Sequence, residues 1–289
     1  MPQIKDVSAS LPPEEEVSDQ GSDTGTDDSL DHFDFGLIIN KLPNLVELSI
    51  TYGVRNCGMN FEWSLFEFTQ KDCCLLAKAV RACTHLQVLR LQRCQIEDEK
   101  ARLIISNLLD HPGLKVLDLS HNRIGDKTGR AVGKLLAGNK VLEEVNLCDN
   151  AIKAEGASAI AFSLKKNNTL QILNLKLNRI GDEGGRNICQ ALIKSNTLLT
   201  IDLSSNGLGE HMAASLAEVL SRNQSLENLI ISCNKLGVSG GRILQEGLEN
   251  NKVLKTFDLR LTEISQQSEH SIMNVIKSNK DQAAGITVV

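Results

Sequence analysis

The 289-residue sequence predicts an α/β solenoid, in which a parallel sheet lines the concave face of an arc and helices cover its convex face. Three observations predict this fold. Leucines recur every 28 residues from Leu86 to Leu254, and a fixed period of this length is typical of stacked repeats. Each repeat opens with alternating apolar residues, as a strand with one buried face requires. The second half of each repeat has apolar residues at helical spacing.

Each periodic leucine opens the pattern L-x-x-L-x-L-x-x-N-x-L. Its fourth and sixth positions, such as Leu117 and Leu119, are expected to point into the core. The seven instances are LQVLRLQRCQI, LKVLDLSHNRI, LEEVNLCDNAI, LQILNLKLNRI, LLTIDLSSNGL, LENLIISCNKL and LKTFDLRLTEI. This pattern is the leucine-rich-repeat signature. The long helical half of each unit favours the ribonuclease-inhibitor-like horseshoe.

The ninth position of the pattern is an asparagine in five repeats, at the point where the chain turns away from the strand. A carboxamide both donates and accepts hydrogen bonds, so we expect stacked asparagines to bind the backbone of the neighbouring repeat. Cys94 and Thr262 replace the asparagine in the first and last of the seven repeats. The five asparagines are Asn122, Asn150, Asn178, Asn206 and Asn234.

Two further columns mark the helical half. Small residues near the helix start are expected to let the helix lie close to the sheet, and they are Ala101, Gly129, Ala157, Gly185, Ala213 and Gly241. Asparagines near the helix end are expected to take the left-handed conformation that closes helices. These asparagines are Asn139, Asn167, Asn223, Asn251 and Asn279.

The repeats divide the chain into four parts. Residues 1–36 are expected to be a disordered acidic tail, because nine acids and one lysine give the first 31 residues a net charge of −8 with few large apolar groups. Residues 37–85 form an irregular first repeat with an aromatic insertion that contains Trp63, interpreted as a cap or as a docking point for a partner. Residues 86–281 are seven 28-residue repeats, and residues 282–289 are a short tail.

Composition excludes several classes of function. No stretch approaches the roughly 20 apolar residues of a membrane helix, and no signal-peptide pattern opens the chain, so we expect an intracellular protein that does not bind membranes. Outside the tail the charge is near neutral without a basic stripe, so no nucleic-acid partner is predicted. The eight cysteines include no C-x-x-C pair, so we expect reduced, mostly buried thiols and no metal or other cofactor.

The concave face is the candidate partner-binding site. Its fifth-position column is Arg90, Asp118, Asn146, Asn174, Asp202, Ile230 and Asp258. The seventh and eighth positions add His121, Lys176, Leu177, Arg260 and Leu261, and Trp63 is a further candidate. Exposed leucines on a concave surface favour a protein partner, and an arginine beside one suits a carboxylate.

Catalysis and small-molecule binding are not predicted. Asp118, Ser120 and His121 are the residue types of a hydrolytic triad, but they do not recur as a set, and the open concave side would not exclude water. The sequence GDEGG at 181–185 lacks the frame of a phosphate-binding loop. We therefore expect a protein that is not an enzyme and has no small-molecule substrate.

Residues 37–280 contain segments that resemble the dynein regulatory complex subunit 5 family, also called T-complex-associated testis-expressed protein 1. These segments are NLVELSITYGV, CGMNFEWSLFEFT, KARLIISNLLDHPGLKVLDLSHNRIGD, LKLNRIGDEGG and FDLRLTEISQQSEH. The resemblance implies a non-enzymatic subunit of the nexin–dynein regulatory complex, in the axonemal cytoskeleton of motile cilia and sperm flagella, with other subunits and axonemal proteins as partners. The family carries a longer region before its repeats than the 36 residues found here.

Two alternatives from other classes remain open at this point. A GTPase-activating protein is one, because the Ran-activating protein shares this class of repeat. A soluble inhibitor similar to ribonuclease inhibitor is the other, although the predicted strand columns contain no Trp or Tyr.

Overall fold

One parallel sheet runs the length of the chain in the computed structural model, which describes residues 4–7, 35–51 and 68–285. Its strands pair in chain order and are β1 Ile4–Val7, β2 Glu47–Thr51, β3 Val88–Gln92, β4 Val116–Asp118, β5 Glu144–Asn146, β6 Ile172–Asn174, β7 Thr200–Asp202, β8 Asn228–Ile230 and β9 Thr256–Asp258. The helices are α1 Phe35–Lys41, α2 Gln70–Ala82, α3 Asp98–Leu108, α4 Asp126–Gly138, α5 Ala154–Leu164, α6 Gly181–Leu192, α7 Ala213–Arg222, α8 Gly237–Leu248 and α9 Gln266–Ala283. The predicted α/β solenoid is confirmed.

The register of the sheet follows the sequence period. From β3 onward, each residue lies opposite the residue 28 positions later, as Leu89 does with Leu117. Glu47 lies opposite Val88, which places the extra residues of the irregular first repeat between β2 and α2. Most of that insertion, residues 52–67 with Trp63, lies outside the described residues, so its role as a cap or docking point stays a prediction.

The sequence predicts a disordered tail over residues 1–36, but two segments within this range have secondary structure. Strand Ile4–Val7 pairs in parallel with β2 through a register irregularity, and α1 begins at Phe35. Phe35 is buried and packs edge-on against Phe68, with ring centroids 6.5 Å apart. The rest of the acidic tail lies outside the described residues, and the four domain boundaries stay predictions.

The core lies between the sheet and the helices. Leu173 and Leu175 on the β6 side and Ile188 and Leu192 of α6 are fully buried, and the other repeats bury the same positions. Full burial of such a side chain stabilises the fold by about 1.5–3 kcal/mol. Because each repeat supplies one layer, the core is continuous along the solenoid.

The predicted asparagine ladder joins each repeat to the one before it. Asn122 Nδ2 donates to the carbonyl of Leu91 at 2.7 Å, and to its own repeat at Leu119. Asn122 Oδ1 accepts from the amides of Cys94 and Ile96 at 3.0 and 3.1 Å. The same donation to the preceding repeat is made by Asn150, Asn178, Asn206 and Asn234.

A second asparagine ladder follows the helix ends, and here the predicted left-handed conformation is wrong. Asn139 and Asn223 have φ of −69° and −75° in extended backbone. Asn223 Oδ1 accepts from the amides of Ser225 and Leu226, and its Nδ2 donates to Leu192 O of the preceding repeat at 2.6 Å. These asparagines therefore bond the end of one helix to the loop of the next repeat, a role that local propensity does not reveal.

His111 takes the place of asparagine in this second ladder. It lies 28 residues before Asn139 and is only 4% exposed. Its Nδ1 accepts from the amides of Gly113 and Leu114 at 3.3 and 3.1 Å, and its Nε2 lies 3.0 Å from Cys83 O. This network assigns the tautomer with the proton on Nε2.

We predict that His111→Asn changes the free energy of unfolding by less than about 1 kcal/mol, because an asparagine can accept from the same two amides and donate to the same carbonyl. His111→Ala should lower it by about 1–3 kcal/mol, because it leaves buried backbone groups without partners. Urea denaturation followed by circular dichroism measures both variants. An equal loss of unfolding free energy in the two variants would contradict the conclusion that His111 has the same structural role as the ladder asparagines.

The glycines of the small-residue helix column lie against the following repeat, whereas the sequence led us to expect their close approach at the sheet. A Cβ on Gly129 would lie 2.6 Å from Gly156 Cα of the next helix, and a Cβ on Gly133 would lie 2.7 Å from Ala159 O. Helices α4 and α5 therefore approach closely only because these positions lack side chains. A Cβ on Gly185 or Gly241 would likewise meet side chains of the following repeat.

Acidic residues in the first turn of one helix cap the next helix. Asp98 Oδ1 accepts from the amides of Gly125 and Thr128 at 2.8 and 3.0 Å. Asp126 Oδ1 accepts from the amides of Lys153 and Gly156, both at 2.8 Å. The N-cap residues of α4 and α5 make no side-chain cap of their own, so the preceding repeat supplies it.

The cap formed by Asp98 predicts a pH effect. Burial raises the pKa of Asp98, but hydrogen bonds from the Thr128 hydroxyl and from the amides of Gly125 and Thr128 more than offset it and hold the pKa below its usual range. Because the folded-state pKa is lowered, the stabilisation is present above the unfolded value of about 3.9 and is lost as pH falls through the folded value. The free energy of unfolding should fall less between pH 6 and pH 3 in Asp98→Asn than in the wild type. An equal pH dependence of the free energy of unfolding in the two proteins would contradict this prediction.

Candidate partner-binding surface

The fifth-position column forms one row across the concave face, with consecutive members paired in the sheet. Most of its members also have a structural task that the sequence did not reveal. Asn174 Oδ1 accepts from the amide of Lys176 at 3.0 Å, and Asp202 Oδ1 accepts from that of Ser204 at 2.8 Å. The same bond to the residue two positions on is made by Asp118, Asn146 and Asp258. These side chains brace the strand ends, so a partner would meet oxygens that are already engaged.

Asp118 is the most enclosed member of the row. Its side chain is 5% exposed, and it accepts from Gln92 Nε2 at 2.6 Å and Asn146 Nδ2 at 3.0 Å. Ser120 is also buried, whereas His121 Nδ1 lies 2.9 Å from Asp149 Oδ2 on the surface. The histidine is therefore paired with the next repeat rather than with Ser120, and the three residues do not form a triad.

The N-terminal half of the row offers little unpaired charge. Arg90 is half-buried and ion-paired with Glu47 of the preceding strand. Ile230 is partly exposed at the centre of the C-terminal half, between Asp202 and Asp258.

The residue before each turn asparagine, or its substitute, has left-handed backbone. The seven φ values lie between 54° and 58°, at Arg93, His121, Asp149, Leu177, Ser205, Cys233 and Leu261. This conformation costs a residue with a Cβ roughly 1–2 kcal/mol. The side chains of Leu177 and Leu261 have no polar atoms that could offset this cost through a local hydrogen bond. These two residues are 44% and 78% exposed. They therefore place exposed apolar side chains at a turn conformation that all seven repeats share.

Leu261 lines a shallow depression of about 580 Å³, here called the concave notch, and Leu177 directly follows Lys176, which lines its other side. The notch is lined by Lys176, Ser204, Ser205, Ser232, Cys233, Arg260, Leu261 and Glu269. Small serine and cysteine side chains from two repeats form its floor, where Ser232 Oγ donates to Ser204 Oγ at 3.1 Å. Lys176 and Arg260, both exposed, stand on the repeats to either side.

Arg260 is held by its own strand. Its Nε and Nη2 donate to Asp258 at 2.9 and 2.6 Å, and this hydrogen bonding lowers the pKa of Asp258 below its usual range. The Arg260 side chain is 81% exposed despite this pairing. It is therefore oriented toward the solvent side of the notch by a bidentate contact.

The thiols divide sharply by exposure. Among the described cysteines only Cys233, in the concave notch, is exposed, and Cys73 and Cys189 are fully buried. Burial raises the pKa of each of these two thiols to about 12, so they act as core apolar groups. Cys57 lies outside the described residues.

The described residues hold no cluster of three or more histidine, cysteine or acidic side chains placed to bind a metal ion. No helix among them is both long and apolar enough to cross a membrane.

A repeating strand–turn–helix unit, a parallel sheet and an asparagine ladder define a leucine-rich-repeat solenoid. The family model described as Leucine Rich repeat matches residues 82–99, 112–133, 138–161, 166–189 and 222–242. The particular protein that the chain resembles is dynein regulatory complex subunit 5, as its family-specific segments predict.

Curated relatives carry this resemblance. The mouse (Mus musculus) dynein regulatory complex subunit 5 is 46% identical over 102 residues, which are 35% of this chain. The human (Homo sapiens) protein is 46% identical over 99 residues, 34% of this chain. The matched segment spans 20% of the length of each relative. Among solved structures, the tropomodulin C-terminal domain of Caenorhabditis elegans covers 55% of this chain and 95% of its own, at 15% identity and a TM-score of 0.47.

Proposed function

We propose that the protein is a non-enzymatic interaction scaffold of the nexin–dynein regulatory complex. The observation that carries the proposal is the 46% identity to dynein regulatory complex subunit 5 over 102 residues. The location that follows is the axoneme of cilia and flagella, with other subunits of the complex and axonemal proteins as partners. A contribution to ciliary and sperm motility belongs to the same proposal.

The concave notch is the proposed contact for one such partner. Leu177 and Leu261 present apolar surface at the cost of left-handed backbone, and Lys176 and Arg260 add positive charge beside them. Apolar anchors rimmed by charge are the usual composition of a protein-binding patch. Neither nucleic acid, membrane nor small-molecule substrate is part of this proposal.

Proximity labelling in a ciliated cell tests the proposal. A tagged wild-type chain should label other subunits of the regulatory complex, and Leu177→Ser/Leu261→Ser should label them less. The matched control is Phe162→Ser/Val238→Ser, which removes two exposed apolar side chains from helices α5 and α8. Recovery of no subunit by the wild type would overturn the scaffold proposal. Equal loss in both double variants would overturn the notch as the contact.

Chemical labelling of Cys233 gives an independent measure of contact. Its exposed thiol in the notch should react with N-ethylmaleimide in the free protein and be protected in complexes recovered from axonemes. Unchanged reactivity in the complex would argue against occupation of the notch.

A further inference from the structure

A groove of about 710 Å³ opens between helices α3 and α4 on the convex side. It is independent of the concave notch. Its walls are the same helix columns in two consecutive repeats, since Arg102, Leu103 and Ser106 of α3 lie 28 residues before Arg130, Ala131 and Lys134 of α4. Positions i, i+3, i+4 and i+7 of each helix therefore face the same space.

The groove exists because α3 lacks the small residue that α4 uses. Because Gly133 of α4 has no side chain, Ala159 O of α5 lies only 2.7 Å from the position that a Cβ atom on Gly133 would occupy. The equivalent residue of α3, 28 positions earlier, is Ile105, which is buried and lines the groove. A β-branched side chain at this position keeps the α4 backbone from the same approach, so the two helices stand apart.

The groove combines an apolar floor with basic walls. Leu103, Leu109 and Ala131 are partly exposed in it. Four cationic residues line it against one acid, Glu99, and they are Arg102, Lys127, Arg130 and Lys134. The lining therefore carries an excess of positive charge although the whole chain is acidic.

The existing ion pairs do not saturate these cations. Glu99 is shared, because it lies 3.0 Å from Arg102 Nη1 and 3.1 Å from Lys127 Nζ. Arg130 pairs with the exposed Glu155 of α5. Lys134 makes no ion pair with any other described residue. Ion pairs between exposed side chains contribute little to stability, so an incoming carboxylate can replace them at little cost.

We propose that this convex groove binds an acidic amphipathic helix of a partner protein. Carboxylates on the helix would meet the four cations, and its apolar stripe would cover Leu103, Leu109 and Ala131. Helix α3 is 11 residues long, or about 16 Å, so about three helical turns of the partner fill the groove. A partner recognised by phosphates alone would leave the apolar floor uncovered, which is why a protein helix fits better than a nucleic acid.

Fluorescence anisotropy with a labelled probe peptide tests the proposal on the full chain. The probe has leucines at i, i+3, i+4 and i+7 and glutamates elsewhere, and a second probe has the same composition in scrambled order. Wild-type protein should bind the amphipathic probe more tightly than the scrambled one, and more weakly as salt rises. Arg102→Glu/Lys134→Glu should weaken binding by about tenfold or more.

The matched control is Arg186→Glu/Lys194→Glu, which makes the same change of net charge at exposed positions at α6. This control should leave the dissociation constant within about twofold of the wild type. Thermal unfolding verifies that both double variants are folded. Equal weakening by both variants, or equal binding of the two probes, would overturn the proposal.

Two other occupants are outcomes of the same experiment. A variant with the eight acids of residues 14–31 changed to their amides tests the chain's own acidic segment. If the probe binds only to that variant, the chain's own segment occupies the groove and the partner-helix proposal fails. If a single-stranded oligonucleotide displaces the probe at equal charge concentration, the groove is a general polyanion site and the proposal also fails.

Discussion

Replacing Leu173 by alanine is expected to lower the free energy of unfolding by about 2–5 kcal/mol. Leu173 is the central residue of β6, in the middle of the solenoid, and it is fully buried. Alanine loses the transfer free energy of the missing atoms and leaves a cavity with core layers on both sides. Because stability in a repeat protein is close to a sum of repeat and interface terms, the loss affects both junctions of this repeat. Urea denaturation followed by circular dichroism measures it.

Ile172→Ala is the matched control for this prediction. Ile172 precedes Leu173 in the same strand, but points to the concave side and is 36% exposed. The change should cost well under half as much as Leu173→Ala, because exposed substitutions are usually within about 0.5 kcal/mol. Similar losses at the two positions would mean that the inward and outward faces of β6 are assigned wrongly.

Replacing Asn122 by alanine should lower the free energy of unfolding by about 1–3 kcal/mol. The side chain donates to carbonyls of two repeats and accepts from two amides of the preceding one. Alanine cannot replace any of these bonds. The midpoint of urea denaturation reports the change, and an unchanged midpoint would contradict it.

Asn206→Ala is the control within the same ladder. Asn206 Nδ2 donates to Leu175 O at 2.9 Å, but its Oδ1 is buried without a hydrogen-bond partner among the described residues. Removing an acceptor that is already unsatisfied costs less, so the loss should be smaller than for Asn122→Ala by about 0.5–1.5 kcal/mol. A larger loss at Asn206 would show that the ladder is not stabilised through its side-chain oxygens.

The strand positions, helix faces and turn asparagines could be predicted because each follows from a short pattern repeated at one period. Leu117 and Leu119 alternate with polar residues, and the fixed spacing of Asn122 places it at the same turn in every repeat. Seven instances of the same pattern reinforce an assignment that one instance would leave open.

The contacts between repeats could not be predicted from such patterns. The cap that Asp98 provides for α4 joins residues about 27 positions apart, whereas capping signals in sequence are local. His111 performs the task of an asparagine with different chemistry, which only the geometry of its ring nitrogens reveals. The conformation of Asn223 followed its inter-repeat bond rather than its intrinsic preference.

The candidate site likewise has features that the sequence period predicts and features that depend on contacts between repeats. The register of the sheet follows from the period, so the concave row is arranged as the sequence predicts. The engagement of Asp118 with three neighbouring groups was not predictable, because it depends on the side-chain directions of adjacent strands. Whether any residue of the row binds a partner stays a prediction.

The caps and the asparagines give the array a polarity. Asp98 and Asp126 reach toward the C-terminal neighbour, whereas Asn122 and Asn150 reach back toward the N-terminal one. Cleavage between two repeats therefore removes different bonds from the two fragments. The N-terminal fragment keeps its helix caps, but its last repeat loses the hydrogen bonds from the next asparagine side chain. The C-terminal fragment keeps its asparagine bonds, but its first helix loses its cap. A shortened version of this protein would need a serine or aspartate grafted at its new start and a polar substitute at its new end.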